Sequence, residues 1–405
     1  MKTRLFLMAM ASVALASCVS EDVSDVKQKD EKVKIAFESP MTMMNAESRA
    51  KYHGEIGSQT VGSATYTYPL EEEFIIFAVQ HDGDFPGWDD ATIAEFDGQT
   101  IKRDASLDGW APKTHDDKYY YWPNGKMSFA ACSPAEMEQA DGWETSNIHY
   151  DGTGLTLTDF VVPDNPEKHI DLMFSKRTIN KTKADMLQSA DNYSGIPIQF
   201  QHALSSIHFS LSNTSGEIVV LKGITISGIY NKGTFKENID EEKAQDGTFD
   251  YTDYVRVSEN GEGNVTPQWT VTTNSIKDYT AFSTADGEGV TFPVNAQYVA
   301  NLLADTELNN TGTNHSLLLL PQDIPATATL TVDYTVNGSQ STKTVKLADA
   351  IDETDKTTKI NKWEIGTKYT YRLVYSKESA NLDRIYFSPG SDSWIPAGIA
   401  IIDLK

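Results

Sequence analysis

The chain predicts an all-β fold, organised as two β-sandwich domains in tandem, and three observations carry this. Segments of strand length alternate apolar and polar residues with period two. In SIHFSLS, Ile207, Phe209 and Leu211 share a face, and in KYTYRLVYS, Tyr369, Tyr371, Leu373 and Tyr375 do the same. Turns rich in Gly, Asn and Asp separate these segments, and 18 tyrosines with many Thr, Val and Ile make a strand composition. Helical periodicity is confined to KADMLQSA and NAQYVANLLA. A length of 405 residues allows about two domains with sizeable cores.

In chain order, the first element is a targeting segment. Lys2 and Arg4 precede an apolar run, Leu5 to Ala16, too short to span a bilayer, which ends in Leu15-Ala16-Ser17-Cys18. Small residues immediately before a cysteine form a bacterial lipobox, so residues 1–17 read as a lipoprotein signal peptide and Cys18 as the acylated new N-terminus, carrying palmitate-like chains. Each buried acyl CH₂ contributes ~0.8 kcal/mol, so two or three chains anchor firmly to a membrane. No other segment is apolar enough to span one. The acidic VSEDVSD behind Cys18 suits either a surface-export signal or a polar tether.

Next comes one short strand, with Val33, Ile35 and Phe37 alternating against Lys32, Lys34 and Glu38. Pro40 ends it, and a polar loop leads to Arg49, which stands alone between Arg4 and Arg103. Exposed loops are where proteolysis acts, so one trypsin-like cut between Arg49 and Ala50 would detach residues 1–49. The continuous apolar runs EFIIFAVQ and SLLLLPQ fit central strands. The polar stretch Thr182–Gly195 divides an N-terminal domain, 50–195, from a C-terminal one, 196–405. In ATLTVDYTVNG, Leu330, Val332, Tyr334 and Val336 align before Asn337-Gly338, a strong two-residue hairpin signal. The tail, 398–405, is apolar on both faces: Ile399 and Ile401 on one, Ala400, Ile402 and Leu404 on the other. Such a tail is either the last strand of its own sheet or a strand held for a neighbour.

Charge and chemistry narrow the function. The net charge is −24. Up to Arg49 the charges cancel: Lys2, Arg4, Lys27, Lys29, Lys32, Lys34 and Arg49 against Glu21, Asp22, Asp25, Asp30, Glu31, Glu38 and Glu47. The acidity therefore lies beyond Arg49, which argues against nucleic acid or anionic lipid as partners. Apart from Cys18 the only cysteine is Cys132, so the mature fold has no disulfide and no thiolate metal site. No hydrolase, zinc-protease or phosphate-loop motif is present, and DGDFPG lacks the ligands of a calcium loop. No cofactor or metal is called for, and nothing supports an enzyme. His202 and His208, an even offset apart, read as polar contacts in sheets. Trp88, Trp110, Trp122 and Trp143 could stack on sugars, although burial in a sandwich core is the commoner role.

Six segments resemble the fimbrillin-like family of Bacteroidales, the type V pilins: KYYYWPNGKMSFAACSPA; HIDLMFSKRTI followed by IQFQHALSSIHFSL; GITISGIYNKGTF; LLLLPQDIPATATLTVDYTV; NKWEIGTKYTYRLVY; and IYFSPGSDSWIPAG. They occur in the family's order over most of residues 70–397. The resemblance implies two transthyretin-like β-sandwiches, export as a lipoprotein to the cell outer membrane, and removal of a prosegment, here 18–49, by an arginine-specific protease. Its strand, with Val33, Ile35 and Phe37, would leave a groove for a C-terminal strand of another subunit. Ile399, Ile401, Ile402 and Leu404 are the donor candidates. The expected partners are other fimbrial subunits in a head-to-tail polymer, the membrane through the precursor's lipid, and surface ligands of host or bacterial cells. The expected locations are the outer-membrane surface and, after processing, the fimbrium. The alternative is a monomeric surface lipoprotein that binds glycans through exposed tryptophans.

Overall fold

The computed structural model describes residues 35, 37, 56–61, 64–69, 72–83, 93–104, 109–112, 120–135, 147–151, 154–175, 178–186, 195, 196, 198, 200–213, 215–239, 265–284, 289–292, 317–351, 357, 359–375 and 395–403. The first half of the strands comprises β1 (Ile56–Val61), β2 (Ala64–Pro69), β3 (Phe74–His81), β4 (Ile93–Asp104), β5 (Gly109–Pro112), β6 (Lys126–Ser133), β7 (Ile148–Asp151), β8 (Gly154–Val161), β9 (Met173–Ser175), β10 (Thr178–Lys181), β11 (Phe200–His202) and β12 (Ser205–Asn213). The second half comprises β13 (Val219–Tyr230), β14 (Lys232–Ile239), β15 (Val265–Val271), β16 (Ile276–Ser283), β17 (Val290–Thr291), β18 (Leu317–Leu319), β19 (Gln322–Asp323), β20 (Thr329–Val336), β21 (Ser339–Lys346), β22 (Lys362–Trp363), β23 (Thr367–Tyr375) and β24 (Ile395–Asp403). One short α-helix, Lys183–Met186, lies within the helical stretch expected from KADMLQSA. NAQYVANLLA lies outside the described residues. The protein is all-β.

The amino-terminal sheet runs β11-β9-β6-β3-β4-β5, with β10 also on β6. Its central strand explains why EFIIFAVQ is apolar without interruption. Alternate residues of a strand face opposite sides, and both sides of β3 are covered. Phe74, Ile76 and Ala78 enter one core, whereas Ile75 and Phe77 enter a second, larger core. The larger core is shared by three further sheets: β18-β12-β23-β24; β16-β13-β20-β21, with β17 on β13; and β15-β14-β8-β7. Ile207, Phe209 and Leu211 meet Tyr369, Tyr371 and Leu373 there, strand against parallel strand, so both predicted faces point inward. Asn337 and Gly338, at φ 49° and 85°, join β20 to β21 as the sequence predicts.

Elements from either side of 195/196 pack and pair with one another. Ile196, Ile198 and Phe200 lie in the same core as Phe74 and Phe129, and β11 pairs with β9. Farther along, β8 of the first half pairs with β14 of the second. Where that ladder ends, the Leu155 N–H donates to the buried Glu237 carboxylate at 3.0 Å, so a buried backbone donor is satisfied. His169 adds a tie across the halves. Its Nδ1 accepts from the Leu318 N–H at 3.1 Å, which leaves Nε2 as the donor to the Pro163 carbonyl at 2.9 Å.

Candidate functional site

The smaller core is closed by two residues from the extreme amino-terminal side. Ile35 and Phe37 are buried, at 2% and 1% exposure. Being two apart on an extended chain, they point to one side, as the alternation predicts. Phe37 exchanges both backbone hydrogen bonds with Trp110 of β5: its N–H donates to the Trp110 carbonyl at 2.9 Å and its carbonyl accepts from the Trp110 N–H at 3.1 Å. The Ile35 N–H donates to the Tyr120 carbonyl at 2.8 Å. On its other side Phe37 bridges, in parallel, to Ile196. Ile196 leads through Ile198 into β11, the strand at the far end of the same sheet. The segment therefore stands between β5 at one end of the sheet and the run entering β11 at the other.

The ring of Phe37 sits in an aromatic cage. Its centroid lies 6.2 Å from Phe74, 6.4 Å from Phe96 and 6.1 Å from Phe129, at steep interplanar angles of 85°, 65° and 85° that set ring edges against faces. Burying two such side chains contributes about 1.5–3 kcal/mol each. Three main-chain hydrogen bonds add about 1 kcal/mol apiece. The sum is a sizeable share of the 5–15 kcal/mol that holds a typical domain together. With the segment gone, the Trp110 N–H would lose its Phe37 acceptor above an apolar trough, an arrangement that templates strand addition.

Of the other residues singled out by sequence, Val33, Cys18, Arg49 and Ala50 lie outside the described residues. The tail has a place within the chain: β24 runs parallel to β23, with Thr370 opposite Ile399, Arg372 opposite Ile401 and Leu373 opposite Ile402. Leu404 lies outside the described residues. Trp110 and Trp122 are buried in the slot's own core, so neither is a sugar platform. Trp88 and Trp143 lie outside the described residues. His202 donates through Nδ1 to the Asp171 carboxylate at 2.8 Å, and His208 pairs with Ser206 at 2.5 Å; they stand on different strands, β11 and β12, of different sheets. Cys132 is buried, and burial pushes its thiol far above the ordinary range. Among the described residues, no group of three or more His, Cys, Asp or Glu side chains is placed to hold a metal ion. No helix among them is long and apolar enough to cross a membrane.

Sequence reasoning singled out Ile35 and Phe37 but not what flanks them. Trp110 sits in the four-residue strand GWAP, too short to show a period, and Ile196 follows a polar stretch that reads as a linker. The Ile-Pro-Ile-Gln-Phe run was the available signal, since its alternating Ile196, Ile198 and Phe200 all enter this core.

Residues 70–385 match the family model described as fimbrillin-like. No curated protein matches the chain by sequence. Among solved structures, a proposed cell adhesion protein from Bacteroides uniformis ATCC 8492 is 15% identical at a TM-score of 0.43, over 86% of this chain and 94% of that one. Another from Parabacteroides distasonis ATCC 8503 is 13% identical at 0.36, over 90% and 91%. A fimbrial protein from Bacteroides ovatus ATCC 8483 is 13% identical at 0.34, over 89% of this chain and 53% of that one.

Proposed function

The chain belongs to the fimbrillin-like family, and on that premise we propose that it is a structural subunit or associated component of cell-surface fimbriae, assembled by proteolytic removal of its first strand and strand donation between copies, in support of adhesion. The role is one of scaffold and contact rather than catalysis. The precursor would reach the outer-membrane surface as a lipoprotein acylated at Cys18. Cleavage between Arg49 and Ala50 would then cut residues 18–49 away.

The observation that carries this reading is the seating of Ile35 and Phe37 between β5 and Ile196. While the chain is intact, tethering gives the segment a high effective concentration at its slot. After the cut it competes as a separate peptide, and a strand on a neighbouring subunit can replace it. The carboxy-terminal region is the source of that strand. One copy's slot filled by another copy's strand is a heterologous contact that does not close, so repetition yields a filament.

The test is to treat the purified full-length protein with a trypsin-like protease and follow it on a gel without boiling. A ladder of multimers is expected from the natural sequence and none from Arg49→Ala. A ladder from Arg49→Ala equal to that of the natural sequence rejects the processing site.

A further inference from the structure

We propose that the strand which refills the slot is anchored by Ile385 and Phe387 of a second copy, taking the places of Ile35 and Phe37; this rests on the strand-exchange reading above. The slot states what it needs. It holds an aliphatic anchor and, two residues on, an aromatic one whose ring meets Phe74, Phe96 and Phe129 at 6.1–6.4 Å. The pattern Ile-x-Phe occurs five times in the chain: 35–37, 75–77, 198–200, 207–209 and 385–387. Ile75, Phe77, Ile207 and Phe209 are buried in the larger core, and Ile198 and Phe200 in the slot's own, so these three pairs are already committed. Ile385 and Phe387 lie outside the described residues.

Its flanks match as well. Lys34-Ile35-Ala36-Phe37-Glu38-Ser39-Pro40 is answered by Arg384-Ile385-Tyr386-Phe387-Ser388-Pro389. Both place a cation before the first anchor and a Ser-Pro after the second, and proline ends strand pairing because it has no N–H to offer. The tail fits less well on two counts. Residues 395–405 contain no aromatic side chain, so an Ile or Leu in the cage of Phe37 would leave a void. In addition, β24 is already paired with β23 along most of its length. Nineteen residues, 376–394, separate these two strands, a contour length of about 60 Å at ~3.3 Å per residue.

The test uses the full chain cleaved after Arg49 and three labelled peptides: residues 382–390, the same peptide with Phe387→Ala, and residues 397–405. Peptide 382–390 is expected to bind the cleaved protein and suppress the ladder, and the Phe387→Ala peptide to bind at least tenfold more weakly. The 397–405 peptide is expected to do neither. In the full chain, Ile385→Asn with Phe387→Asn is expected to abolish the ladder while leaving the melting temperature of the uncleaved precursor unchanged. If the cleaved protein forms a ladder that 397–405 suppresses and 382–390 does not, the anchor assignment falls and strand exchange stands. The anchor assignment falls in the same way if a ladder forms and neither peptide binds. If the cleaved natural protein keeps its prosegment and forms no ladder, strand exchange itself falls, and the anchors with it.

Discussion

The two outermost strands β5 and β21 end their sheets in opposite ways. β5 is four residues long, Trp110, Ala111 and Pro112 in it are buried, and its free side is taken by Phe37. β21 is eight residues long and pairs, among the described residues, only with β20. Its register sets Ser341, Lys343 and Val345 opposite Tyr334, Val332 and Leu330, all three of which are buried. Residues directly opposite share a face, so Lys343 stands on the core-facing side of an edge strand. A charge in that position would be buried unpaired if another strand docked alongside, and natural sheets use it to refuse such docking. One edge is built to be occupied and the other to be left alone. A subunit that polymerises by strand addition needs both, because a second open edge would branch or aggregate the chain.

The cores behind these edges differ in their response to alkali, and this is the largest effect expected. Tyr279, Tyr369 and Tyr371 are buried in the larger core. Burial raises the hydroxyl of each far above its ordinary range. For Tyr279 the nearby Asp164 carboxylate adds to this; for Tyr369 and Tyr371, hydrogen bonds from the Glu364 N–H and the Trp363 indole offset part of it. The folded state keeps these protons when the unfolded chain, titrating near 10, gives them up. Stability is therefore present below pH 10 and falls as pH rises beyond it, by about 1.4 kcal/mol per pH unit for each tyrosine, or roughly 4 for all three. Among the described residues, no buried member of the slot's core is a tyrosine or a cysteine. Hydrogen exchange between pH 10 and 11 should thus show β12, β20 and β23 losing protection before β3 and β6. Simultaneous loss in both would mean that the cores unfold as one unit.

Truncating the plug comes next. Phe37→Ala removes a ring from the aromatic cage and leaves a cavity, at a cost of about 3–5 kcal/mol. Phe37→Leu should cost clearly less. In urea titrations of the uncleaved precursor, the Ala variant is expected to shift the midpoint strongly, and the larger core's signal should move less than the smaller core's. A Phe37→Ala precursor as stable as the natural one would mean that the slot contributes nothing to the fold, and the contrast between β5 and β21 would lose its first half.

The sequence made one side of this contrast easier to read than the other. Period-two alternation identified Ile35, Phe37, Ile207 and Tyr371 as inward-facing because a half-buried strand records its burial residue by residue. Asn337-Gly338 identified its hairpin because positive φ restricts the choice of residue. Pairing between strands distant in sequence leaves no such record. Nothing in GLTLTDFV says that β8 will pair with β14, and nothing in GWAP says that Trp110 will hydrogen-bond a residue more than seventy positions earlier. Continuous apolar runs are ambiguous for the same reason: EFIIFAVQ reports that both faces are covered, not that two different cores cover them.

The smallest effect on stability, and the sharpest on association, belongs to the guarded edge. Lys343→Val replaces a half-buried lysine with a side chain that suits the strand and the core below it, so folding stability should change by no more than about 0.5 kcal/mol. What changes is the penalty for a second strand. With valine there, the face beside Leu330, Val332 and Val345 becomes continuous with any sheet that docks on β21. The uncleaved Lys343→Val precursor is expected to dimerise in a concentration-dependent way in analytical ultracentrifugation, while the natural precursor stays monomeric at the same concentrations. Lys343→Glu keeps a charge at the same register and should stay monomeric too, which separates the loss of a guard from the loss of a specific lysine contact. If both variants remain monomeric at every accessible concentration, β21 is protected by something other than Lys343, and the asymmetry between the two edges lies in their surroundings rather than in this side chain.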